Sequence, residues 1–165
     1  MKKIAFLSVL VLALTIPSIV VSKSNNNAKT VPRQISGTMD GRFAFGGPLE
    51  GPWEVTGDLS GTLHHLGLSG MQTSHITSPL TGGISGGTFT IESANGDLIQ
   101  GEYTASASYI SDDQVLGAAT LFITGGTGRF DCATGTVKAS FLETLDDPSW
   151  ASAKVTWYLN GTINY

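Results

Sequence analysis

The chain has 165 residues, of which 41% are apolar and 13% charged, the length of one ordinary domain that closes a core without disulfide staples. Its formal net charge is -4; setting aside Lys2 and Lys3 leaves seven basic residues against 13 acidic ones, with no basic cluster to displace counterions, which argues against a nucleic-acid partner. Low charge, 21 glycines and abundant Ser and Thr favour many short strands joined by tight turns.

The first element is MKKIAFLSVLVLALTIPSIVVSKS, two lysines ahead of an apolar run that ends in small residues. It reads as a signal peptide over 1–22, cleaved to leave a secreted or periplasmic protein; the run is also long enough to stay uncleaved and hold the chain at the membrane. Residues 23–34 read as a flexible polar leader, and 35–165 as a single domain. The only cysteine, Cys132, excludes an internal disulfide and is expected to be buried as a small apolar residue.

Period-two alternation then runs through the domain, with no apolar stripe at helical spacing. Ile35, Met39, Phe43 and Phe45 share a face of the first strand. Trp53, Val55, Leu59 and Leu63 share a face of the second, and a third strand is expected around Met71 to Ile76. In GTFTIESANGDLIQGEYTASASYI, Asn95-Gly96 marks a hairpin with a two-residue primed turn. LGAATLFIT and TVKASFLET follow, and KVTWYLNGTINY closes the chain with Val155, Trp157, Leu159 and Ile163 on one side. These segments make roughly eight strands, the number that closes a small antiparallel β-barrel. A two-sheet β-sandwich shares the alternation, and an outer-membrane barrel would turn the same apolar face toward lipid.

Between the sixth and seventh strands lies ITGGTGRFDCATGTV. Gly125, Gly126 and Gly128 suit a tight crossing, Phe130 is expected to pack back on the barrel, and Arg129 to stay at its rim. GGTGRF, DCATGTV and the terminal AKVTWYLNGTINY resemble the end of dirigent proteins and the related allene oxide cyclase barrels, over roughly Gly86 to Tyr165. The resemblance implies an eight-stranded antiparallel barrel with an apolar cavity, often a homotrimer. It also implies cofactor-independent chemistry in which confinement steers a coupling or cyclisation. The acidic and basic catalytic positions of those families do not align with this chain, so none is carried over.

Candidate chemistry therefore comes from polar residues that interrupt the apolar faces. Counting by twos from Trp53 reaches His65, and from Val137 reaches Glu143, a carboxylate and an imidazole that together suit proton transfer. The opposing reading leaves His65 solvated beyond a bulge and Glu143 at a strand end. Trp53, Tyr103, Tyr109 and Trp157 are the expected pocket lining, although barrel packing accounts for them equally well. His64, His65 and His75 lack metal-ligand spacing, so no metal is expected. No serine sits in a nucleophile elbow. The reading is a secreted barrel that binds a small apolar or aromatic molecule, as a cyclase- or isomerase-like catalyst, as a binding-only carrier or interaction module, or as a structural envelope protein.

Overall fold

The computed structural model describes residues 31–47, 52–78, 81, 83–146 and 151–165. The signal peptide expected at 1–22 and most of the leader lie outside the described residues. Eight strands follow one another around a closed antiparallel barrel: β1 (Pro32–Gly46), β2 (Trp53–Leu63), β3 (Gly67–Ser78), β4 (Gly83–Glu92), β5 (Leu98–Tyr109), β6 (Gln114–Gly126), β7 (Thr134–Leu145) and β8 (Ser152–Asn164). β1 closes the ring on β8, in register from Pro32 opposite Asn164 to Ala44 opposite Ser152. Closure pairs every edge and rules out the sandwich.

Alternation decides the polarity of the wall. Ile35, Met39 and Phe43 of β1 and Val155, Trp157, Leu159 and Ile163 of β8 are buried in the centre, while Asp40, Asp58, Glu102, Lys138 and Lys154 face outward. A transmembrane barrel has the opposite arrangement. Small residues let the rings meet inside: a Cβ on Gly117 would strike the Phe141 ring, and one on Gly57 would strike that of Phe43.

The pairing is regular except at Thr124 of β6, which is left over where Gln100 pairs with Gly125 and Gly101 with Ile123, and in β4. There one extra residue between Gly83 and Thr88 shifts register against both neighbours, with Gly86 at φ 64°. This bulge bends the strand next to His75 on β3 and Tyr103 on β5.

One end of the barrel is plugged. The β6–β7 connection forms a 3-10 turn at Gly128–Phe130 that drives Phe130, fully buried, under the barrel against Tyr165, with ring centroids 4.7 Å apart. Leu66 and Ala133 are buried beside it, and the Ala94 N–H donates to the Leu66 carbonyl at 3.0 Å. Thr127 secures the crossing, because its Oγ1 accepts from the Leu98 N–H at 2.9 Å and its own N–H donates to the Leu98 carbonyl at 2.8 Å. Asp97 then accepts from the Arg129 N–H at 3.3 Å and lies where a side chain on Gly128 would begin. With φ 56° as well, that position tolerates only glycine. Arg129 stays at the rim, its guanidinium 4.6 Å from the centroid of the Phe130 ring.

Two local expectations are corrected. The β4–β5 turn is not the two-residue primed form, since only Gly96 takes a positive φ, 85°, and Asn95 does not. Instead the Ser93 N–H reaches the Asp97 carbonyl and the Gly96 N–H the Ser93 carbonyl, giving a three-residue loop with glycine in the left-handed position. The Asn95 amide bonds Asp97 at 2.8 Å and receives the Ser93 hydroxyl at 2.6 Å, which holds the wider loop. Cys132 is exposed rather than buried, because Phe130 and Ala133 take the inward places on either side of it.

Candidate functional site

The barrel interior is divided along its axis. Toward the plugged end it is aliphatic, with Ile35, Leu63, Ile99, Leu121 and Ile163 all buried. Toward the other end, where the β1–β2, β3–β4, β5–β6 and β7–β8 connections lie, aromatic rings and polar groups replace them. We refer to this as the loop end.

Trp157 is the hub of that half. Phe141 stacks on it at 5.3 Å between ring centroids, and Phe43 and Tyr103 present edges at 6.4 and 5.7 Å. The residue is 1% exposed, yet its Nε1–H has no hydrogen-bond partner, and neither has Thr73 Oγ1 nearby on β3. A buried donor without an acceptor costs about 1–3 kcal/mol and calls for water or a ligand.

Two titratable groups complete the cluster. His75 lies 5% exposed, with its Nδ1 2.6 Å from the Tyr103 hydroxyl. Burial lowers the imidazole to about 4 and so keeps it neutral. Burial likewise raises the Tyr103 phenol; Thr73, near but outside hydrogen-bond geometry, opposes this and the Glu143 charge adds to it. Glu143 is 7% exposed, and burial raises its carboxyl to about 7. At neutral pH it gives or takes a proton at little cost, the property asked of a general acid or base.

Sequence parity placed some of these residues and missed others. Glu143 follows Val137, Ala139 and Phe141 inward as counted. Trp157 and Tyr103 line the cluster, while Trp53, 6% exposed, packs on Phe45 at 5.8 Å near the mouth. Tyr109 is 48% exposed and stands at the rim rather than in the lining. Its phenol is raised by burial and then by the Glu143 charge.

His65 is the clear correction. The β2–β3 turn at 64–66 gives it a left-handed backbone, φ 68°, and turns the ring out to solvent, tilted against His64 with ring centroids 4.1 Å apart. The β2–β3 connection lies at the plugged end, so His65 sits at the opposite end of the barrel from Glu143. The imidazole that does reach the interior cluster is His75. Counting by twos from Met71 through Thr73 would have found it, because β3 stays regular as far as His75.

Among the described residues, no group of three or more His, Cys, Asp or Glu side chains gathers as metal ligands. Grooves on the outer wall, one lined by Thr56, Asp58, Gln72, Ser74, Thr88 and Thr90, present exposed or half-buried polar groups. No family model, curated protein or solved structure matches the chain.

Proposed function

We propose that the loop end of the barrel binds one small, largely apolar or aromatic molecule, and that Glu143 and the His75–Tyr103 pair serve it as proton-handling groups. The observation that carries this reading is the buried Trp157 Nε1–H, unpartnered inside a box of rings and beside a carboxyl that titrates near neutrality. Aromatic walls with a few convergent polar groups are the composition of a ligand site. Proton transfer to a confined substrate needs no organic cofactor. The resemblance carried by GGTGRF extends the proposal to a cyclase-like or stereochemistry-directing reaction in an exported, trimeric protein.

A second reading has its own support. The close fit of Gly57 to Phe43, Gly87 to Tyr103, Gly101 to Phe89 and Gly117 to Phe141 suits a filled barrel that serves as a structural module. Native mass spectrometry of the purified chain, followed by a tryptophan-fluorescence titration with naphthalene, separates the two. A retained small molecule, or saturable quenching by naphthalene, supports the site; an empty chain with an unchanged spectrum at naphthalene's solubility limit leaves the structural module.

A further inference from the structure

We propose that the loop-end site selects an uncharged planar molecule carrying a hydrogen-bond-accepting oxygen, such as an aryl ketone, and rejects a carboxylate built on the same skeleton. This inference rests on the binding reading above and names the ligand class of that site.

The first observation is the Trp157 indole. It is a donor only, so the group that satisfies it must supply an acceptor atom. Phe43, Tyr103 and Phe141 surround it with faces and edges, which favours a flat partner.

The second observation is the sign of the interior. The buried polar and charged side chains among the described residues are Ser69, Thr73, His75, Ser93 and Glu143. None is a lysine or arginine, and His75 is neutral above about pH 4. Facing Glu143 are the phenols of Tyr103 and Tyr109, both raised and therefore uncharged at neutral pH, with His75 beyond Tyr103. A bound anion would meet one buried carboxylate and no countercharge, and low polarity magnifies that repulsion. A ketone oxygen meets a waiting donor without adding charge. Glu143, when protonated, is a second donor for it.

The experiment compares three probes of one skeleton at pH 8: naphthalene, 2-acetylnaphthalene and 2-naphthoate, each titrated by calorimetry and tryptophan fluorescence. The ketone is expected to bind about tenfold tighter than the hydrocarbon, the value of one buried hydrogen bond. The carboxylate is expected to bind at least about tenfold weaker than the ketone. In Trp157→Phe the ketone and hydrocarbon should bind alike, and Glu143→Gln should narrow the gap between ketone and carboxylate. Should Trp157→Phe fail to fold, the unaltered protein still decides: the Trp157 indole N–H signal, identified by its proximity to Phe43 and Tyr103, should move downfield with the ketone and not with naphthalene. Equal binding of ketone and hydrocarbon, an unmoved N–H signal, or a carboxylate as tight as the ketone overturns the selectivity while leaving the binding reading intact. Binding by none of the three overturns both.

Discussion

Glu143 and His75 lie within the same half of the barrel and pull stability in opposite directions as pH changes. Glu143 ionises near 4.5 in the unfolded chain and near about 7 in the barrel, so folding takes up a proton between those values. Its contribution is complete below pH 4.5 and lost as pH rises to about 7. His75 ionises near 6.5 unfolded and about 4 folded, so its contribution is complete above 6.5 and lost as pH falls to about 4. Over the shared span the two slopes cancel. Glu143→Gln should unmask the His75 limb, with stability rising by up to about 3 kcal/mol between pH 4 and 6.5. Urea unfolding across that range checks it, and a profile like that of the unaltered protein would show that Glu143 is not buried in the folded state. Tyr103→Phe should cost about 1–3 kcal/mol by leaving His75 Nδ1 without its partner at 2.6 Å. The same titrations measure that loss.

At the scale of the strand, Gly57, Gly87, Gly101 and Gly117 admit rings from neighbouring strands. Gly117 on β6 faces Phe141 on β7, and the Phe141 ring occupies the space a methyl at Gly117 would need. Phe141 cannot move freely, because it is stacked on Trp157. Gly117→Ala should therefore destabilise by about 1–3 kcal/mol, and Phe141→Leu in the same chain should recover part of that loss. A double-mutant thermal cycle reads the coupling, and additive costs would remove the steric explanation. The β4 bulge works at this scale too: its extra residue disturbs the pairing beside His75 and Tyr103, where β3 and β5 hold their own register.

Across the whole molecule, closure joins the ends of the domain, with Ile35 opposite Gly161. Contacts so distant in sequence cost loop entropy before they return any energy, and refolding is expected on a timescale of ~milliseconds to seconds rather than microseconds. Stopped-flow tryptophan fluorescence tests this. The two halves of the interior should also respond separately. Phe130→Ala empties the plug and should cost about 3–5 kcal/mol, while Glu143 at the far end still titrates near 7 by carbon-13 NMR. A displaced Glu143 titration in that variant would show that the halves are coupled.

Side-chain parity within a strand is a local property, and it was legible in the sequence. Alternation set which face of β1, β2, β7 and β8 turns inward, brought the number of strands to that of a small barrel, and put Glu143 on the buried side. Parity counts only while the strand continues, which is why it misplaced His65: the chain leaves β2 at Leu63, and a turn residue owes nothing to the strand's period. Nor does a strand's own sequence say which end of a ring it shares with another strand's residues. That depends on register between segments far apart in the chain, on the β4 bulge and on closure of β1 against β8. Tertiary structure alone therefore brought His75 to Tyr103, left the Trp157 N–H without a partner, and set His65 and Glu143 at opposite ends of the barrel.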